Sequence, residues 1–225
     1  MRKTPAHTGH RKSPEMEILY EDTALVVVDK PCGLLTQSPD PGKQSVQTVL
    51  NAYFEQSRQR ARAHTVHRLD RDTSGLLLFA KSKKIALLFE DNWKERVYDR
   101  RYIALVHGRM TEKEGTITSW LKDNRQFVTY SSPYDNGGKY AVTHFRTLEV
   151  GEAYSMVELR LDTGRKNQIR VHLQDIGFPV AGDRKYGDGS DPEGRLCLHA
   201  FRLCFRHPLN GKDLRFETRN PFRLH

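Results

Sequence analysis

His67-Arg68-Leu69-Asp70-Arg71-Asp72-Thr73-Ser74-Gly75 runs directly into Leu76-Leu77-Leu78-Phe79-Ala80. The apolar run from Gly75 to Ala80 is too short for an ordinary helix and has no polar face, so it reads as a strand buried on both sides. The charged loop entering it is therefore held by a rigid interior element, where sites tend to be built. By themselves, Asp70 and Asp72 fit equally well as turn residues paired with Arg68 and Arg71. A second segment has to decide between the two readings.

Upstream, Ala24 to Val28 is apolar and β-branched and is closed by Lys30-Pro31-Cys32-Gly33, a strand followed by a turn. From Ser45, the apolar residues Val46, Val49, Leu50, Tyr53 and Phe54 follow helical spacing, with Ser45 as the cap. The basic cluster Arg58, Arg60 and Arg62 loses that spacing and is expected to be a solvated loop suited to lie against phosphate. Downstream, Ile85, Leu88, Phe89 and Trp93 predict a second helix and Tyr102 to Val106 a strand. Val157, Leu159 and Leu161 alternate with Glu158 and Arg160 as in a half-buried strand. A helix from about Asn167 to Ile176 is terminated by Gly177, and Leu196 to Phe205 forms a late strand before His207-Pro208. Many strands, few helices and no regular βαβ alternation predict an α+β fold, a largely antiparallel mixed sheet with a few flanking helices. No internal repeat or linker divides the chain, so residues 18–225 are expected to form a single domain behind a flexible basic tail, residues 1–17.

Lys and Arg total 37 against 28 Asp and Glu, a formal charge of +9, which suits a polyanionic partner where the charge clusters beside a site. The 3 cysteines, Cys32, Cys197 and Cys204, are too few and too unevenly spaced for a disulfide framework or a CxxC metal site, and read as reduced, mostly buried thiols. The basic N-terminus lacks the apolar segment of a secretory signal, and no run is long enough to span a membrane. A cytoplasmic monomer is expected.

The second segment is Leu161-Asp162-Thr163-Gly164-Arg165-Lys166-Asn167-Gln168-Ile169-Arg170-Val171-His172, a glycine turn entering a helix with Arg165, Lys166 and Arg170 close together. Cations near a helix start oppose the macrodipole and call for a carboxylate or phosphate nearby. For Lys166 a solvated basic face is an equal reading; Arg170, which follows Ile169, suits it less well. His172, His199 and His207 read as structural histidines. Several function classes can be drawn from these residues. His64, His67, Asp70 and Asp72 are close enough in sequence to be ligands of a metal-dependent hydrolase, although no HxxxH or HExxH helix carries them. Ser74 lacks the GxSxG elbow of a serine hydrolase. The basic charge also fits a non-catalytic RNA-binding module.

Taken in order, these segments resemble the RluA-like family of RNA pseudouridine synthases over nearly everything from Ile18 to Pro208. Val28-Asp29-Lys30-Pro31-Cys32-Gly33-Leu34 is similar to the family's first motif, His67 to Leu78 to its catalytic HRLDxxTSGLLL motif, and Arg101-Tyr102-Ile103-Ala104 to its RxYxA strand. Thr163 to Leu173 resembles the TGRxHQIRxHL motif, followed by Gly177-Phe178-Pro179-Val180-Ala181-Gly182-Asp183 and Leu198-His199-Ala200. One such match carries little, whereas several in the correct order are specific.

The resemblance implies an isomerisation of uridine to pseudouridine in ribosomal or transfer RNA, with Asp70 as the catalytic carboxylate. It implies that Arg170 pairs with Asp70 and that Tyr102 lies on the target base. Arg68 occupies the position used when the target nucleotide leaves its stack, and Arg165 joins the substrate-binding set. The reaction leaves redox state and atom count unchanged, so it calls for no cofactor and no metal. Arg170 is expected to lower the pKa of Asp70, by about 1 to 3 units for a cation within ~4 to 6 Å, against the raising effect of a closed pocket. Asn167 stands where the family usually has His, which is expected to alter a supporting hydrogen bond while leaving Gln168-Ile169-Arg170 intact. No S4-type RNA-binding domain fits before Ile18, so RNA capture is expected to rest on the catalytic domain, the basic tail, or both.

Overall fold

The computed structural model describes residues 16–40, 42–187 and 191–224. Residues 1–15, nearly all of the expected basic tail, lie outside the described residues. Met16 packs against the core and the first strand opens at Glu17, so these two residues belong with the fold rather than with the tail.

In chain order the elements are β1 (Glu17–Glu21), β2 (Leu25–Lys30), α1 (Val46–Gln56), β3 (His64–Thr65), β4 (Ser74–Ala80), α2 (Lys83–Asp91), α3 (Trp93–Arg96), β5 (Val97–His107), β6 (Glu114–Asp123), β7 (Thr129–Ser132), β8 (Lys139–Val150), β9 (Tyr154–Leu161), α4 (Gln168–Asp175), β10 (Leu198–Arg206) and β11 (Asp213–Glu217). The 11-stranded sheet runs β1-β2-β4-β10-β5-β9-β8-β6-β7, with β11 on β10 and β3 on β4. Among the described strand pairs, β4 with β10 is the parallel one; the others are antiparallel. The architecture is thus the expected α+β class.

Every residue of β4 is buried, because β2 and β10 flank it and a helix covers each face. Its side chains alternate between the faces, as a pleated strand requires. Leu77 and Phe79 join Val26, Val28, Leu50 and Phe54 beneath α1, whereas Leu76 and Leu78 join Leu25, Val27 and Phe89 beneath α2. Gly75 is fixed by its neighbour: its φ is +112°, and a Cβ there would lie 2.3 Å from the Ala200 carbonyl oxygen.

α1 starts as its sequence predicts. The Ser45 hydroxyl accepts from the Thr48 N–H at 3.2 Å and the Thr48 hydroxyl accepts from the Ser45 N–H at 2.8 Å, a reciprocal cap. Val46, Leu50 and Phe54 then bury one face. The predicted second helix is instead broken. Asn92, at φ −133°, leaves the helical region between α2 and the one-turn α3. Beyond the break Trp93 still packs against the cluster of Ile85 and Phe89, while its ring lies 5.6 Å from that of His67 and 5.0 Å from the Arg100 guanidinium.

β5 begins at Val97 rather than Tyr102 because Asp99, Arg100 and Arg101 already pair with β10. β10 itself begins at Leu198 rather than Leu196. α4 has Asn167 at its N-cap and Gly177 beyond its end, with Phe178 N–H closing on the Leu173 carbonyl at 2.9 Å. Arg58, Arg60 and Arg62 lie in an exposed loop. Among the described residues no helix is long and apolar enough to cross a membrane.

Candidate active site

The loop from His67 to Thr73 is shaped from beneath before any of its side chains act. The Thr36 hydroxyl donates to the Leu69 carbonyl at 2.8 Å and accepts from the Leu69 N–H at 3.2 Å. Val26, Val28 and Lys30 share one face of β2 by alternation, which carries Lys30 into full burial. Its ammonium donates to the carbonyls of Leu34 at 2.7 Å, Arg71 at 2.8 Å and Pro31 at 3.1 Å, tying the turn after β2 to the loop before β4. Burial pushes the Lys30 pKa down to about 8.

From this loop Asp70 faces a cleft of about 610 Å³ that is also lined by Arg68, Tyr102, Arg165 and Arg170. The candidate residues therefore share one cavity, although they come from the β4 loop, from β5 and from the entry of α4. The register explains the convergence. Ala200 of β10 pairs with Gly75 on one side and with Tyr102 on the other, so one residue sets both walls.

Arg170 departs from its expected role as a simple partner of Asp70. Its Nε and Nη2 donate to Asp183 at 2.7 and 2.8 Å, its Nη1 donates to Asn167 Oδ1 at 2.9 Å, and Nη1 lies 3.7 Å from Asp70 Oδ2. Burial works to raise the pKa of Asp183, but the bonds and charge of Arg170 and the N–H groups of Lys185 and Tyr186 outweigh it and hold the carboxylate low. At Asp70 the balance is reversed. Burial raises its pKa above the usual carboxylate value, and the charges of Arg170, Lys30 and Arg68 pull against that rise without cancelling it. The expected lowering by Arg170 is present, but burial of Asp70 outweighs it.

Asn167 adopts the left-handed backbone at φ 54°, which Asn tolerates better than most residues. Its Nδ2 donates to Tyr186 Oη at 3.1 Å and Thr129 Oγ1 at 3.2 Å. In place of the usual His it thus links Arg170 to β7 and to Tyr186, whose ring lies 4.9 Å from the Arg170 guanidinium. The cations entering α4 all have acceptors: Lys166 binds Asp123 at 2.7 Å, and Arg165 Nε donates to the Tyr140 carbonyl at 3.2 Å.

Sequence reasoning missed several contributors. Arg100 also lines the cleft, two residues before Tyr102 and so on the same face of β5, a signal that strand periodicity carries. Asp183 closes an apolar run, where a lone buried acid requires a counter-ion. Trp93 could not be placed without the break at Asn92.

The metal-ligand set drawn from sequence is not assembled. His64 lies opposite Ala80, at the far end of β4 from the loop, and Asp72 is bound to Arg71 at 2.9 Å on the surface. His67 accepts the Leu78 N–H on Nε2 at 3.1 Å, and burial holds its pKa down to about 3. Among the described residues, no three His, Cys, Asp or Glu side chains are grouped to hold a metal ion. Ser74 and His199 hydrogen-bond at 2.7 Å in the interior. His172 is held between Ser119 and Thr143, both at 2.9 Å, and His207 reaches Asp22 at 2.9 Å. Cys32 is half-buried and Cys197 and Cys204 are buried, all as free thiols.

Residues 24–175 match the family model described as RNA pseudouridylate synthase. An uncharacterized RNA pseudouridine synthase, YhcT of Bacillus subtilis, is 38% identical over 212 residues, covering 92% of this chain and 69% of that protein. The chain belongs to the RluA-like RNA pseudouridine synthases. This synthase is also 38% identical over 219 residues to the ribosomal large subunit pseudouridine synthase D of Nitrosomonas europaea, spanning 92% of its own chain and 62% of the relative. Among solved structures, human RNA Pseudouridylate Synthase Domain Containing 1 superposes with a TM-score of 0.75 at 28% identity, covering 93% of the synthase and 85% of that chain. The synthase is an isomerase, and its substrate is RNA.

Proposed function

We propose that this synthase draws a uridine of a structured ribosomal or transfer RNA out of its stack into the cleft, where Asp70 is the catalytic carboxylate. Arg68, Tyr102, Arg165 and Arg170 hold the extruded nucleotide. The observation that carries this reading is the meeting of Asp70, the Tyr102 ring and the Arg170 guanidinium in one cavity with room for a nucleotide.

In the isomerisation the N1–C1′ bond breaks, the uracil turns, and a C5–C1′ bond forms; the proton lost from C5 is balanced by one gained at N1. Asp70 supplies negative charge beside the reacting nucleotide. Tyr102 offers an aromatic surface on which the freed base turns. Arg68, exposed at the mouth, suits the space left in the RNA stack. No step requires a metal or a cofactor. The name of the Nitrosomonas relative supports RNA of the large ribosomal subunit, and a cytoplasmic monomer agrees with such a substrate.

Asp70→Asn keeps the shape and removes the charge. Pseudouridine formation should fall to background while RNA affinity stays within a few fold, and substantial turnover by the Asn variant would refute the assignment. Mapping pseudouridines in ribosomal and transfer RNA from cells with and without the protein identifies the target. Activity that required added metal after exhaustive chelation would return the metal-dependent class.

A further inference from the structure

Gly164 and Arg165 line the active cleft and also a second cavity of about 340 Å³ beside it. Lys122, Lys139 and Lys166 face this groove together with Asp123, and Gly137 and Gly138 leave part of its floor free of side chains. Lys166 is matched by Asp123 at 2.7 Å. Lys122 donates to a neutral acceptor, the Asn136 carbonyl, at 3.0 Å. Among the described lining residues the cations therefore outnumber the acid, and the excess charge is continuous with the cleft.

Phe127 stands next to this groove at the turn between β6 and β7, and its side of the turn is unusual. The residue is 74% exposed and has a left-handed backbone, φ 58°. An aromatic residue in that conformation is strained. The turn is nevertheless well held. Asn124 Oδ1 accepts the N–H groups of Gln126 and Val128, both at 2.9 Å. The Phe127 carbonyl accepts from Lys166 at 3.1 Å and from Lys185 at 3.2 Å. The Phe127 backbone is thus fixed to Lys166, a lining residue of the basic groove, and its large ring is exposed to water. Burial does not explain such a ring, whereas bases of single-stranded RNA stack on rings displayed in this way while cations track the phosphates.

We infer that this groove and Phe127 form a second RNA site, which holds unpaired nucleotides flanking the target uridine. The inference rests on the reading of the main cleft as the uridine site. Phe127 stacks a base, Lys139 and Lys122 contact phosphates, and Arg165 marks the crossing from one cavity to the other.

The test titrates the full chain with a fluorescein-labelled oligouridylate, an RNA without secondary structure. Phe127→Ala should weaken binding about 5- to 150-fold, the range that stacking of one base confers, and Phe127→Tyr should restore it. Lys139→Gln should weaken binding and lower the salt slope by about 0.7, the value for one phosphate contact to a single strand. Ultraviolet crosslinking of the bound probe should label Phe127. Both side chains are exposed, so unchanged melting temperatures confirm that the variants are folded. Wild-type protein that fails to bind the probe, or an affinity unchanged in either Phe127→Ala or Lys139→Gln, would overturn the inference. Assaying pseudouridine formation in both ribosomal and transfer RNA by the wild type separates the two readings. Activity together with Phe127-independent binding sinks the groove alone, whereas Phe127-dependent binding by an inactive wild type sinks the reading of the cleft.

Discussion

Arg170 faces three acceptors, Asp183, Asn167 and Asp70, and its distances rank them in that order of commitment. This ranking predicts opposite pH effects from two substitutions. Asp70 has a pKa raised by burial and only partly brought back by Arg170, so the acidic limb of the activity profile should lie above the ordinary carboxylate range. Arg170→Met removes a cation, disfavours the carboxylate further, and should move that limb up. Asp183→Asn leaves the guanidinium less neutralised, favours the carboxylate, and should move the limb down. Arg170→Met also leaves Asp183 buried without its partner, at about 3–5 kcal/mol of stability, so Arg170→Lys is the milder companion, expected between Met and Arg. Profiles of kcat/KM against pH read these shifts. A uniform fall in rate with no displacement in either variant would mean that Arg170 positions the nucleotide and does not tune Asp70.

At the scale of elements, the contact of β4 with β10 is the least forgiving. A Cβ on Gly75 would meet backbone atoms of Ala200 at 2.3, 2.6 and 2.8 Å, and backbone cannot swing aside as a side-chain tip can. Gly75→Ala should therefore cost about 4 kcal/mol or more. Gly177→Ala has a positive φ of 82° but no atom within 4 Å of the new methyl, so it should cost only about 1–2 kcal/mol. Urea denaturation of the two variants makes the comparison, and equal losses would refute the close approach as the cause. The same elements mark the limit of what the sequence discloses. β4 was legible because six consecutive positions from Gly75 to Ala80 are apolar or glycine, and α1 because its cap and period agree. Asp70, Arg68, Tyr102, Arg165 and Arg170 were grouped by ordered motifs, and all five line one cleft. The break at Asn92 was not legible, because local periodicity continued through it to Trp93. Asp183 as the principal partner of Arg170, and Ala200 as the shared partner of Gly75 and Tyr102, depend on pairings between distant segments, for which no local pattern exists.

Across the whole molecule, burial holds three histidines neutral. It pushes the pKa of His67 down to about 3, and those of His172 and His199 down to about 4, from 6.5. A histidine whose folded pKa is depressed contributes stability that is complete above the unfolded value and is lost as pH falls below it. Urea midpoints should hence decline from pH 6.5 toward pH 4, with each histidine contributing up to about 1.4 kcal/mol per pH unit. His172→Gln should flatten that decline, and a midpoint constant across the window would show that the buried rings do not control acid stability. The position of β10 has a different kind of consequence. It lies between β4 and β5 in the sheet, yet Ser74 and His199 are 125 residues apart along the chain. During synthesis, Asp70 and Tyr102 emerge in close succession, but the strand that sets them against each other follows about a hundred residues later. No sheet interior joins their two segments until Ala200 has cleared the exit tunnel. Nascent chains therefore carry Asp70 and Tyr102 without the cleft, which is assembled in one step when β10 arrives rather than accumulating as the chain lengthens.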